Sequence, residues 1–343
     1  MLTEKENYLK ILRGEIPEWI PSYSFDPSPF GPVPNIKTMP EIVCQFRING
    51  GGKDVWGVNW VATESTAGAL VPDPAPNMLV LKDMEDLEHW RDFIKAPDIS
   101  NIDWEAMYQR DMKRLKFNRE DSVMGLNLHV GYFQQLIGFL GFENAVMALY
   151  EYPDEIHEIL EYMCDFYTAV TEKVIDVYNP EVIEQEDDTA AWGAPFISPA
   201  MYRDFLIPVY KRQAQPGLDR GKFFTMHNCG KAECFIDDLV NIGVCQWDPA
   251  QTCNDLDAVR VKYGNKLVIA GGWDARGRLL EADCTDEEIY ESVRESINRL
   301  APIGGYLFCG GFLGSSDGMD ECIRRNIVVQ TAVKEIGRNF YKH

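Results

Sequence analysis

The chain has 343 residues, 45% hydrophobic and 25% charged, the balance of a globular protein rather than a disordered or fibrous one. Its 33 Lys and Arg stand against 54 Asp and Glu, a formal charge of −21, which excludes a nucleic acid partner because phosphate binding needs clustered cations to release counterions. Anionic lipid is repelled for the same reason, leaving small molecules or a complementary protein as expected partners, although acidity that serves only solubility gives the same composition.

The opening segment, MLTEKENYLKILRGEIPEWIP, lacks the apolar region of a secretory signal, and no run approaches the roughly 18 apolar residues a membrane helix needs. A cytoplasmic protein is expected. Nine cysteines, an odd number spread along the chain, suit free thiols and metal ligands better than a disulfide framework.

In chain order, residues 4–13 read as a helix and residues 19–25 as a strand. A loop dense in Pro and Gly follows over residues 26–40, long enough to form part of a lid. The apolar run 54–62 (DVWGVNWVA) is taken as a second strand, with irregular chain through Pro76. From Leu81 onward, short β-rich runs at 122–128, 181–186, 222–226, 244–247, 267–270 and 305–308 alternate with helical segments. Apolar residues at three-and-four spacing mark helices over 142–152, 153–178, 198–214 and 286–301. Ser198 followed by Pro199 is a good helix start.

Alternation of this kind is the sign of βα units around a parallel sheet. Eight candidate strands suit a (β/α)8 TIM-type barrel with N-terminal loop elaborations, in one domain over residues 1–343. A doubly wound sheet can use the same eight, and periodicity does not choose between them.

The sharpest local feature is Phe223-Phe224-Thr225-Met226-His227-Asn228-Cys229-Gly230. In extended chain, residues i and i+2 share a face, so His227 and Cys229 can meet one metal while Gly230 turns the backbone away. Cys309 ends the last β-like run and is followed by Gly310-Gly311, the same strand-then-glycine context. Strand ends converge at one mouth of a parallel barrel, where a Cys2His set with an open fourth position is a catalytic zinc arrangement. Merely buried cysteines are the competing explanation.

Carboxylates crowd the end of another strand, Glu184-Gln185-Glu186-Asp187-Asp188. Neighbouring like charges raise one another's pKa, so Glu184, Asp187 or Asp188 can serve as a general acid, as a fourth metal ligand, or as no more than a solvated acidic turn. His129, beside Tyr132 and Phe133, lines a pocket or is a satisfied interior histidine. Gly271-Gly272 begins no nucleotide-binding pattern, and no GxSxG elbow is present.

These residues resemble the uroporphyrinogen decarboxylase superfamily, and within it the zinc-dependent corrinoid methyltransferases that act on methanol, methylamine, methylthiol and methoxylated substrates. The likeness extends to 131–144 (GYFQQLIGFLGFEN), to Ile197-Ser198-Pro199 with Tyr202 and Phe205, and to 268–274 (VIAGGWD). The resemblance implies zinc on His227, Cys229 and Cys309. It also implies methyl transfer between a small methylated compound, such as a methoxylated aromatic, and cobalamin carried by a separate corrinoid protein. On that basis Glu184, Asp187 or Asp188 protonates or orients the departing group, while Tyr23, Phe25, His129 and Trp192 shape the pocket. A homodimer is an allowed assembly. The arginine-bearing segment that true decarboxylases place after the first strand reads SYSFDPSP here, from Ser22, which counts against a polycarboxylate substrate. Decarboxylation and non-catalytic ligand binding with a structural zinc stay open as alternatives.

Overall fold

The structure is a computed structural model and describes residues 2–23, 33–63, 69–115, 118–128, 131–313 and 318–342. Eight parallel strands wind in chain order into a nearly closed barrel: β1 (Ser22–Tyr23), β2 (Asn35–Thr38), β6 (Val123–Asn127), β7 (Val182–Glu186), β8 (Phe223–His227), β9 (Val244–Ala250), β10 (Val268–Gly272) and β11 (Tyr306–Cys309). Between β2 and β6 a small antiparallel sheet forms from β3 (Gly52–Lys53), β4 (Asn59–Ala62) and β5 (Leu70–Pro72). The first strand pairs with the last, Tyr23 opposite Cys309. Among the described residues the one seam lies between β1 and β2.

The six later strands fall where the hydrophobic pattern puts them, but the second barrel strand does not. Residues 54–62 form the turn between β3 and β4 and then β4 itself in the antiparallel sheet, and the barrel strand is Asn35–Thr38, inside the stretch read as a loop and lid. Its sequence, NIKT, has one apolar residue because its inward face reaches the polar mouth of the barrel. The first part of that loop, 26–32, lies outside the described residues, as do residues 24–25 of the strand expected before it.

Strand residues alternate between two cores, as the period of two requires. Met124, Ile183, Ile269 and Phe308 pack outward against the helices. Val123, Val182, Val268 and Leu307 instead form a separate inner cluster with Tyr8, Ile11 and Leu12. Those last three come from the first helix, Glu4–Leu12, whose start is fixed by a capping box between Thr3 and Glu6. This helix therefore plugs the lower end of the barrel, and Tyr8 donates its hydroxyl to Gln246 Oε1 at 2.8 Å inside it.

The long helix Pro153–Tyr178 matches its sequence pattern end to end. Over the segment 198–214 the chain departs from one regular helix: Ser198 caps Pro199–Met201, then a π turn spans Tyr202–Leu206 before the α-helix Ile207–Leu218. Pro208 explains the break, since it has no N–H to donate to the carbonyl one turn back. No helix among the described residues is long and apolar enough to cross a membrane.

Candidate metal and active site

At the C-terminal ends of the strands the inward face turns from apolar to ionic. His227 closes β8, and Cys229 follows two residues on, its sulfur 3.5 Å from His227 Nε2. Asp188, just past β7, completes a three-residue group: its Oδ1 lies 3.8 Å from His227 Nε2 and accepts the Cys229 N–H at 2.8 Å. A tetrahedral zinc, about 2.0–2.1 Å from nitrogen and about 2.3 Å from sulfur, places those two donors about 3.5 Å apart, so the donor set fits.

The backbone enforces this approach. Gly230 has φ +81°, and a Cβ there would stand 2.3 Å from the Ala190 carbonyl oxygen. Lys231 N–H donates to Ala191 O at 2.9 Å, so the turn after Cys229 is sewn to the loop after Asp188. A residue with a side chain at 230 would push the two donor-bearing loops apart.

Behind His227 stands Asp248 on β9, 1% exposed, with Oδ2 3.1 Å from the ring Nδ1. A carboxylate on Nδ1 fixes the tautomer that offers Nε2 to a metal. Burial alone raises the Asp248 pKa, but Lys37 and the hydrogen bonds from His227 and Tyr23 outweigh it and hold the carboxyl below its ordinary value. Burial likewise disfavours a charged His227, while Cys229 and Asp248 favour it, and the balance lies well above the usual histidine range. Burial pushes the Cys229 thiol up to about 11. A cation bound here must displace both protons.

Lys37, on β2, places Nζ 2.6 Å from Glu184 Oε1 and 4.0 Å from Asp248 Oδ2. Asn127 bridges Glu184 and Glu186 at 2.8 Å each, and Arg47 reaches Glu186 at 3.0 Å. Glu184, Glu186, Asp188 and Asp248 thus share the mouth, where Lys37 pairs with Glu184 and Asp248 and Arg47 with Glu186. The excess negative charge suits a divalent cation and disfavours a substrate with several carboxylates.

The expected site residues sort into three groups. His227 and Cys229 come together, and Asp188 joins them. Cys309, 2% exposed, is not within that group; its thiol, raised to about 12 by burial, takes a hydrogen bond with Tyr23 beside it. Tyr23 also donates its hydroxyl to Asp248, and Glu184 lines the barrel. Trp192 sits at the rim, 37% exposed, under the Arg276 guanidinium.

Asp187 is held by three hydrogen bonds. Its carboxylate accepts the Phe133 and Gln134 N–H groups, at 2.8 and 3.2 Å, and the Tyr210 hydroxyl at 2.6 Å. It braces the start of the helix Tyr132–Leu140, fully buried, with burial raising its pKa to about 7. Phe25 and His129 lie outside the described residues.

Sequence reasoning missed Lys37 and Asp248. Lys37 sits in a strand with almost no apolar signal, and Asp248 falls one residue beyond the run taken as 244–247. A carboxylate at a strand end beside a strand-end histidine was the available clue for Asp248.

Comparison with known proteins adds an independent line. A solved structure of a methyltransferase from Methanosarcina mazei is 14% identical, with a TM-score of 0.60 over 98% of this chain and 99% of that one. A D-psicose 3-epimerase with D-tagatose from Clostridium cellulolyticum H10 is 11% identical, with a TM-score of 0.37 over 69% of this chain and 83% of that one. No curated protein sequence matches significantly. The family described as uroporphyrinogen decarboxylase (URO-D) matches residues 133–312. That stretch covers more than half of the chain and contains Glu184, Asp188, His227, Cys229, Asp248 and Cys309, and the chain belongs to this family.

Proposed function

We propose that the protein is a zinc-dependent methyltransferase that moves a methyl group between a small methylated compound, such as a methoxylated aromatic, and cobalamin carried by a separate corrinoid protein. The observation that carries this reading is the His227–Cys229–Asp188 group at the barrel mouth with Asp248 behind the imidazole. His227, Cys229 and Cys309 would hold the zinc, with Asp188 at the position left for substrate. When bound, zinc supplies a Lewis acid that polarises the methyl-bearing heteroatom or lowers the pKa of a thiol.

The chain's own residues have definite tasks in this scheme. Asp248 orients His227, and Tyr23 ties Asp248 to the strand that bears Cys309. Glu184 is held by Lys37 and Asn127, so its carboxylate is charge-paired inside the mouth. Asp188, partly exposed, faces the substrate side and can orient the departing group. The likeness to a methyltransferase of the same fold supports the reading at the level of architecture.

The test is elemental analysis of protein purified without chelator, for the native chain and for Cys229→Ser, Cys309→Ser and Asp188→Asn. About one zinc per native chain, lost in both cysteine variants, is the expected result. Demethylation of methoxylated compounds in the presence of a reduced corrinoid protein then follows by chromatography. Native protein without zinc overturns the mechanism, and activity retained by Cys309→Ser removes that residue from the ligand set.

A further inference from the structure

Almost every guanidinium in this acidic chain is neutralised. Among the described residues, each arginine other than Arg276 hydrogen-bonds a carboxylate or a backbone carbonyl. The Arg276 guanidinium has neither; it lies over the Trp192 ring, 3.5 Å from guanidinium carbon to ring centroid. A stacked guanidinium keeps its N–H edge free, and that edge matches a carboxylate in two parallel hydrogen bonds.

Its place is equally specific. Arg276 follows β10, and Trp192 lies four residues after Asp188 in the loop whose Ala190 and Ala191 are pinned by Gly230 and Lys231. Asp274 accepts the Thr252 N–H at 2.7 Å, which braces the Arg276 loop against the loop after β9. All these loops leave the C-terminal ends of the strands, the face that carries His227 and Cys229. An unpaired cation on the rim of an otherwise acidic mouth selects among small anions, because the four carboxylates below would repel a second charge.

We propose that Arg276, held flat on Trp192, anchors a single carboxylate of the methyl-bearing substrate. The substrate class is then a monocarboxylated aromatic ether rather than a neutral alcohol, amine or ether. This rests on the methyltransferase reading and narrows it. Trp192 acts as a positioning residue for the guanidinium.

The experiment is calorimetric titration of the zinc-loaded full chain with 4-methoxybenzoate and its neutral isostere 4-methoxybenzamide. The native protein should prefer the benzoate. In Arg276→Gln the benzoate-to-amide affinity ratio should fall about ten- to hundredfold, the range of one lost charge-assisted contact, and Arg276→Lys should fall between. Zinc content, measured alongside, shows that the variants are folded and loaded. Equal native affinities, undetectable benzoate binding or an unchanged ratio in Arg276→Gln each overturn the proposal. An unchanged ratio with weakened corrinoid-protein binding assigns Arg276 to that partner instead. Failure of the methyltransferase reading would show separately, as no demethylation of any compound while the ratio still responds.

Discussion

In the lower half of the barrel, side chains from Val123, Val182, Val268 and Leu307 close around Tyr8; two residues or four further along the same strands, the inward positions hold Asn127, Glu184, Glu186 and Cys309. The geometry of strand and pleat is the same in both halves. What changes is that the lower layer is shut off by the first helix while the upper layer opens to loops. Apolar burial stabilises the one, whereas the other gathers charges whose desolvation is offset only by mutual pairing. Stability and chemistry should therefore separate along a single strand.

The largest break in that comparison comes from Cys229→Ser or His227→Ala, each expected to abolish metal binding while circular dichroism keeps its native form. In the opposite half, Leu307→Ala should cost about 2–5 kcal/mol of stability in urea unfolding and leave zinc per folded chain unchanged. Asp248→Asn should weaken zinc affinity about ten- to hundredfold in chelator competition; a lower melting temperature with unaltered affinity would make Asp248 merely structural. Tyr8→Phe strands Gln246 inside the plug and should cost about 1 kcal/mol.

A pH dependence sharpens the comparison outside the barrel. Asp187, raised to about 7 by burial, keeps a proton in the native state that the unfolded chain releases near pH 4. Its contribution to stability is full below about pH 4 and is lost as pH rises through about 7. Asp187→Asn should flatten that slope in unfolding curves taken across this range. An unchanged slope would show that Asp187 is ionised in its brace.

The lower half was legible in the sequence and the upper half only in part. Adjacent apolar residues at the start of runs such as Val182–Glu186 and Phe223–His227 locate strands because burial on two faces demands them. Glycine after Cys229 marked the turn because Ala190 leaves no room for a Cβ. Asn35–Thr38 was illegible since its inward lysine neutralises Glu184 rather than filling a core. The brace that Asp187 gives the helix Tyr132–Leu140 depends on where Phe133 and Tyr210 fall in space, which no local spacing encodes.

The pairing of β1 with β11 bears on the order of assembly. Within the described sheet, Ser22–Tyr23 has no strand partner other than the chain's last strand, and Ile20 N–H, Trp19 and Glu4 are fastened to Gly337 and Arg338. During synthesis these residues emerge well before β11 and Gly337, so their partners do not yet exist, the kind of non-local closure that slows folding. Tyr23 reaches Asp248 only when that closure is made. The mouth is thus complete only when β1 and β11 have paired, so that a chain interrupted before Tyr306 would carry Asp188, His227 and Cys229 and still lack Cys309 and the strand that holds Tyr23 in place.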